Sequence, residues 1–153
     1  MRRLAGTSYA PAMASIEDTV RGYYDRELRD RATRPLGEDR VVRLHEFARL
    51  CRQDGLSSVV EVACGAGRDG KVLQKSGLTY AGLDLSASSV DICRGAGLDA
   101  VQGSALALPW DDDQFDAGWS MSTLMHLPGD GMTTALSELD RVVRSGGVVE
   151  IGV

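Results

Sequence analysis

Several features that mark other classes of protein are scarce or missing in this sequence. No uninterrupted apolar run approaches the roughly 18 residues of a membrane-spanning helix, so we expect no membrane partner. The three cysteines form no C-x-x-C pair, which predicts unpaired thiols in a reducing, cytoplasmic setting. Acidic residues (22) outnumber basic ones (17), so the basic face of a nucleic-acid-binding protein is not expected. No metal site is expected either, because the acidic run at 111–113 is typical of a solvated turn.

The first third of the chain predicts helices. Residues 1–54 form a flexible lead followed by two helices that act as an N-terminal cap, with a break between the helices at Pro35. The first helix carries an apolar stripe at helical spacing that includes Tyr23 and Tyr24. The second helix ends at Gly55, and His45 on it is predicted to lie at the surface.

Residues 55–153 have a different sequence pattern, which predicts short apolar strands that alternate with helices of about a dozen residues. This alternation is typical of βαβ crossovers and a parallel sheet. We therefore predict one α/β, Rossmann-like unit with a doubly wound, mainly parallel sheet of five strands. The fifth strand is expected at "VVEIGV", after a helix that the glycines of "RSGG" close, and Trp110 and Trp119 are predicted to be core aromatics.

A glycine-rich loop is the first sign of chemistry. The stretch "VVEVACGAGRDG" contains G-x-G-x-x-G at Gly65, Gly67 and Gly70, between a predicted strand and a predicted helix. Glycines without Cβ atoms let a ligand approach the backbone, although Gly70 is predicted to be incidental in the first helical turn. Asp84 ends the next strand, where an acid can accept hydrogen bonds from ribose hydroxyls or merely cap the following helix.

The order of motifs along the chain carries a resemblance to a family. The stretches "VVEVACGAGRDG", "YAGLDLS", "GSALALPW", "FDAGWSMSTLMHL" and "LDRVVRSGGVVEIGV" resemble the successive motifs of class I S-adenosylmethionine-dependent methyltransferases of the small-molecule type. The resemblance covers about residues 56–153. It implies S-adenosylmethionine as cofactor, S-adenosylhomocysteine as product, and an enzyme that transfers a methyl group to a small-molecule acceptor by in-line displacement.

The resemblance also implies cofactor-binding positions. Glu61 matches the acid near the methionine end, Asp84 the ribose acid, and Leu85 the apolar residue that packs on the adenine. The full set of matching positions is Glu61, Ala63, Cys64, Gly65, Gly67, Arg68, Asp84, Leu85, Ser104, Ala105, Ser120 and Met121, with Tyr24 from the cap. Ala63 stands where the family has its first glycine and is expected to cost little space. Ser104 stands where an acid is common.

Two roles stay open between function and packing. We hypothesise that His126, just past the fourth predicted strand, deprotonates or orients the acceptor, the alternative being a helix-start or packing histidine. A cap tyrosine or Arg68 is predicted to hold the cofactor carboxylate, unless Arg68 pairs with a local acid.

The resemblance leaves two alternatives and one structural question. A nicotinamide or flavin Rossmann protein would explain the glycines and Asp84 but not Glu61, and a non-catalytic cofactor-binding module would explain the short chain. The family's sixth and seventh strands are missing after "VVEIGV", which would leave the fifth strand with a bare edge. We expect either a truncated form or a homodimer that covers this edge.

Overall fold

The computed structural model describes residues 26–127 and 129–152. Helices and strands alternate along the described chain in this order: α1 (26–33), α2 (Glu38–Gln53), β1 (Ser58–Val62), α3 (Arg68–Lys75), β2 (Thr79–Asp84), α4 (Ala87–Gly95), β3 (Ala100–Gln102), β4 (Phe115–Met121), a 3-10 turn (Leu124–His126), α5 (Gly131–Val142) and β5 (Val143–Gly152).

The five strands form one sheet in the order β3-β2-β1-β4-β5, and all four neighbouring pairs are parallel. The chain starts in the middle at β1, runs outward through β2 and β3, and then returns to the other side of β1 with β4. This is the doubly wound arrangement that the sequence predicted. Its switch point lies between the carboxyl ends of β1 and β4, where such sheets bind ligands.

Alternate strand residues face two hydrophobic clusters, one on each side of the sheet. On β1, Val59 packs into the cluster formed with α2, α3 and α4, whereas Val60 and Val62 pack into the cluster formed with α5. Trp119 of β4 is fully buried in the first cluster, with its ring centroid 5.0 Å from that of Phe47. The prediction that Trp119 is a core aromatic is confirmed.

The cap region follows its prediction where it is described. The break between α1 and α2 spans residues 34–37, at Pro35 as expected. The apolar stripe of α2 buries Leu44, Phe47 and Cys51, and the helix is followed by Gly55 at a φ of 70°. His45 is exposed, as predicted. No helix among the described residues is long and apolar enough to cross a membrane.

The end of the last helix was predicted wrongly. The glycines of "RSGG" do not close α5, because the helix ends at Val142 and β5 begins directly at Val143. The β4–β5 register shifts between Phe115 and Ala117, so the glycines lie in an irregular part of the strand. Arg144 anchors this part with a bond from Nε to Oδ1 of Asp116 at 2.6 Å.

Candidate functional site

A cavity of about 410 Å³ opens at the switch point of the sheet, a size that suits a small-molecule site. Its wall combines the loop after β1, the start of α3, the residues after β4 and the cap. The described residues that form it are Leu28, Arg31, Leu36, Gly37, Arg40, Glu61, Ala63–Ala66, Arg68, Asp69 and Met121–Thr123. Six of the predicted cofactor-binding positions therefore meet in one place: Glu61, Ala63, Cys64, Gly65, Arg68 and Met121.

The two glycines of the loop after β1 serve different purposes. Gly65 has a φ of 52°, and a Cβ added there would meet no atom within 4 Å, so its bare backbone faces open space. Gly67 has a φ of 72°, and a Cβ there would lie 2.6 Å from Cδ1 of Leu98 and 2.9 Å from Sγ of Cys93. Gly65 thus leaves room for a ligand, whereas Gly67 lets α4 pack against the loop.

Ala63 adopts a left-handed conformation with a φ of 64°. The expectation that alanine costs little here considered only space. A residue with a Cβ in this region carries a backbone penalty of about 1–2 kcal/mol, which glycine avoids. The loop therefore holds strain at the position where the resembled motif has its first glycine.

Gly70 lies in the first turn of α3, as predicted, and has a packing role there. It is buried, and a Cβ there would lie 2.5 Å from Cζ of Tyr80 and 2.7 Å from the Tyr80 hydroxyl oxygen. The missing side chain admits the Tyr80 ring, whose hydroxyl donates a hydrogen bond of 2.6 Å to Oε2 of Glu61. Sequence reasoning missed Tyr80, although two glycines with no turn to make, Gly70 and Gly82, indicate a large neighbour.

Two buried carboxyl groups form the floor of the cavity. Glu61 and Asp69 are each only 4% exposed. Asp69 Oδ2 accepts bonds from the Arg40 guanidinium, at 2.9 Å from Nε and 2.5 Å from Nη2, and from Nε1 of Trp119 at 2.8 Å. Arg40 also lies over the Trp119 ring, 5.8 Å from its centroid.

The charge of Asp69 is thus compensated inside the protein, whereas that of Glu61 is not. Burial raises the pKa of Glu61 well above its usual value, and the negative charge of Asp69 raises it further. The Tyr80 hydroxyl and the Arg40 charge act in the opposite direction. A cationic group beside Glu61 would favour the ionised carboxylate, so the floor suits a ligand with a positive charge.

Asp84 holds the glycine loop to the end of β2. Its Oδ2 accepts a bond of 2.8 Å from the backbone N–H of Gly65, and its Oδ1 one of 2.9 Å from that of Ser86. Each oxygen keeps a second lone pair, so the carboxylate can still accept bonds from two ligand hydroxyls. Leu85, next along the chain, is 75% exposed and offers an apolar surface at the same edge.

Comparison with known proteins identifies this arrangement. A family model described as "Methyltransferase domain" matches residues 60–151, which include the glycine loop, Asp84 and the last strand. The chain belongs to the class I S-adenosylmethionine-dependent methyltransferases.

Two curated relatives of this family member are methyltransferases of mycobacterial origin. A fatty-acid O-methyltransferase of Mycolicibacterium smegmatis is 38% identical over 95 residues, covering 58% of this chain and 34% of the relative. A phthiotriol/phenolphthiotriol dimycocerosates methyltransferase of Mycobacterium tuberculosis is 35% identical over 99 residues, covering 61% and 36%. The chain spans about a third of the length of these relatives.

Solved structures share the fold. The sugar N-methyltransferase of a Streptoalloteichus species superposes with a TM-score of 0.70 at 21% identity, covering 82% of this chain and 52% of that one. The [4+2]-cyclase SpnF superposes with a TM-score of 0.62 at 27% identity, covering 72% and 44%. The predicted Rossmann-like methyltransferase fold is confirmed.

Six described positions that match the family pattern are not part of the cavity wall: Gly67, Asp84, Leu85, Ser104, Ala105 and Ser120. The last three make contacts elsewhere. Ser104 accepts a bond of 3.1 Å from the backbone N–H of Leu106 through Oγ, in a tight turn after β3. Ala105 packs against the α5-side cluster. Ser120 is buried in β4, and its hydroxyl donates to the carbonyl of Val62 at 3.0 Å.

The predicted catalytic and lid residues have different outcomes. His126 is exposed on the 3-10 turn after β4, outside the cavity wall, and its role remains a prediction. Tyr23 and Tyr24 lie outside the described residues. Within the described part of the chain, no three His, Cys, Asp or Glu side chains are grouped to hold a metal ion. Asp112, in the exposed acidic turn, pairs with Arg141 at 2.9 Å.

Proposed function

We propose that this chain binds S-adenosylmethionine at the carboxyl ends of β1, β2 and β4 and transfers the methyl group to a small-molecule acceptor. The observation that carries this proposal is the joining of Asp84 to the bare backbone of Gly65 at 2.8 Å beside the acidic floor of Glu61 and Asp69. A ribose needs the acid and the open loop, and a sulfonium and an ammonium group suit the floor. The names of the curated relatives support methyl transfer.

Each part of the site then has a binding role. Asp84 accepts the ribose hydroxyls and Leu85 packs on the adenine, with Ser104 and Ala105 at the edge of the base. Arg68 is our candidate for the carboxylate of the cofactor. Arg31 and Arg40 also line the cavity but are paired with acids, whereas within the described residues no ion pair involves Arg68.

The chemistry asks little of the protein beyond positioning. The bound cofactor supplies a methyl group on a positively charged sulfur, which is already electrophilic. The cavity wall has to hold the acceptor atom about 3 Å from that methyl group, in line with the bond that breaks, and to exclude water. We propose that His126 removes or directs the acceptor proton from the turn after β4, where its ring is exposed.

Calorimetric titration with S-adenosylhomocysteine and with NAD tests the cofactor. We expect binding of the first only, and a roughly 10- to 100-fold weaker affinity for Asp84→Asn, because hydrogen bonds to a charged group contribute about 1.5–3 kcal/mol. Asp99→Asn is the matched control, since Asp99 is an exposed acid at the amino end of β3, away from the proposed site, and makes no side-chain hydrogen bond or ion pair with another described residue. Binding of NAD in place of the homocysteine product would refute the proposal.

The acceptor requires a separate assay. Transfer of a labelled methyl group to fatty acids, aminosugars and polyketide-like alcohols would identify its class, and a fatty acid is the first candidate because one relative is named for it.

A non-catalytic binding module is the second candidate function. The structural likeness to SpnF, a protein of this fold named for a cyclisation, supports only that the fold does not by itself prescribe methyl transfer. Tight cofactor binding with no transfer to any acceptor would favour this second function.

We also propose that a second copy of the chain covers the outer edge of β5. Among the described residues no strand pairs with that edge, and Val149 on β5 is 40% exposed. Analytical ultracentrifugation is the test. A monodisperse monomer with a fully cooperative melt would contradict a homodimer. No nucleic acid and no membrane are proposed as partners, and a cytoplasmic location remains our prediction.

A further inference from the structure

Two cysteine thiols meet behind the glycine loop, on the α4 side of the cavity. Sγ of Cys64, in the loop, lies 3.8 Å from Sγ of Cys93, on α4. Both are free thiols, and Cys64 forms part of the cavity wall. Cys93 Sγ also donates a bond of 3.3 Å to the carbonyl oxygen of Gly65, the residue whose N–H is held by Asp84.

We propose that Cys64 and Cys93 form a reversible disulfide that weakens cofactor binding. A peroxide that enters the cavity reaches Cys64 first, because only this thiol of the pair lies on the wall. The Cys64 sulfur attacks the peroxide, the O–O bond breaks, and sulfenic acid and water form. The Cys93 sulfur then displaces the hydroxyl group, so that an S–S bond forms and a second water leaves. Two thiols and one hydrogen peroxide thus give one disulfide and two waters.

The cavity wall sets the order of the two steps. The hydrogen bond to Cys93 raises the pKa of the Cys64 thiol and burial raises it further, so access to peroxide, and not acidity, makes Cys64 the first to react. In the reduced pair the hydrogen bond from the Cys64 thiol lowers the pKa of Cys93, and the positive charge of Lys71 acts in the same direction. The charge of Lys71 remains after Cys64 has been oxidised and still favours the Cys93 thiolate that attacks in the second step.

The disulfide would disturb the loop that we propose binds the cofactor. An S–S bond is about 2.05 Å long, so the sulfur atoms must approach by roughly 1.8 Å. Cys93 also loses the proton that it donates to Gly65, so the loop is drawn towards α4 without its original anchor. The loop already lies close to α4, since even a Cβ at Gly67 would clash with Cys93 and Leu98, so it has little room to absorb the movement elsewhere. We expect oxidation to weaken cofactor binding at least tenfold.

Peptide mass mapping tests the bond itself. The reduced native protein is treated with hydrogen peroxide, alkylated and digested, and we expect one cross-linked pair of peptides, Cys64 with Cys93, lighter by two hydrogens. Cys51→Ser is the matched control, because Cys51 is a third buried thiol, on α2, and its loss should leave the cross-link intact. Cys93→Ser should abolish the cross-link. If Cys64 and Cys93 stay unlinked in the oxidised native protein, or if Cys51 takes part in the link, the proposal is overturned. This result does not depend on whether any variant folds.

A second measurement separates this proposal from the proposed function on which its consequence rests. Calorimetry with S-adenosylhomocysteine is run on reduced, oxidised and re-reduced protein, and saturating S-adenosylhomocysteine should slow cross-linking by covering Cys64. A cross-link that leaves the affinity unchanged refutes the switch. If even the reduced protein does not bind the homocysteine product, the cofactor proposal fails, while the mass map still decides whether the disulfide forms.

Discussion

Replacing Ala63 by glycine should stabilise the protein, because the native alanine is held in a conformation that favours glycine. Its φ of 64° places it in the left-handed region, where a Cβ costs about 1–2 kcal/mol. Glycine would remove this cost but would give the unfolded chain more freedom, which opposes folding by about 0.5–1 kcal/mol. The difference predicts a net gain of roughly 0.5–1 kcal/mol.

The control for this substitution lies three residues further along the same loop. Ala66 is buried and is not among the residues with a positive φ. Ala66→Gly should therefore destabilise the protein, since it adds unfolded-state freedom, removes a buried methyl group and relieves no strain. If the two alanine-to-glycine changes alter the free energy of unfolding in opposite directions, the gain at position 63 comes from its left-handed backbone and not from a general effect of glycine.

Urea denaturation followed by circular dichroism measures both variants. The Ala63→Gly variant should have a higher midpoint with an unchanged slope, and a thermal midpoint about 1–4 °C higher for a chain of this size. A lower midpoint for Ala63→Gly, or equal losses in both variants, would refute the assignment of strain to this position. Because Ala63 also lines the cavity, the affinity for S-adenosylhomocysteine should be measured in the same samples.

Four further substitutions have outcomes that urea denaturation can check. Glu61→Gln should stabilise the protein increasingly as the pH rises above 4.5, because the raised pKa means that the folded state binds this proton more tightly than the unfolded one. pH profiles of variant and parent that run parallel would contradict this. Tyr80→Phe should cost about 1–3 kcal/mol by removing the one hydroxyl donor to that buried carboxyl group among the described residues. Gly70→Ala should cost a similar 1–3 kcal/mol, since the new methyl group would displace the Tyr80 ring, and a neutral result would show that the ring moves freely. Glu138→Gln should destabilise the protein above pH 4.5 and lose its effect towards about pH 2, because the bond with Arg141 lowers the pKa of Glu138 to about 2; an effect that persists at the acid end would argue against this ion pair.

The fold could be predicted because its signals are local. The strands are short β-branched or apolar runs, each followed by a turn and a helix, and this pattern requires no knowledge of distant residues. The end of α5 was predicted wrongly for the opposite reason. Two glycines usually close a helix, but here Arg144 reaches Asp116 on β4, and this long-range ion pair draws the segment into the sheet.

The residues of the candidate site also fall into a group that local sequence signals predict and a group that depends on long-range packing. Asp84 and Gly65 could be found from the sequence because each stands at the end of its own strand, and the sheet brings these ends together. Tyr80 and Arg40 could not, since one resembles any strand aromatic and the other any arginine of an amphipathic helix. Their roles depend on how α2 and β2 pack against the start of α3, which places Arg40 on Asp69.

The charges of the site explain why a G-x-G-x-x-G loop need not bind a dinucleotide. In a dinucleotide site the pyrophosphate lies at the amino end of the helix after the loop, where N–H groups and the helix dipole attract anions. In this chain the first turn of that helix, α3, carries the buried Asp69, and Glu61 stands beside it on the floor of the cavity. Arg40 compensates the charge of Asp69 and is already bonded to it, so an incoming anion would be repelled by Glu61. A ligand whose charged centres near the loop are an ammonium and a sulfonium meets no such repulsion, and its binding would favour the ionised form of Glu61.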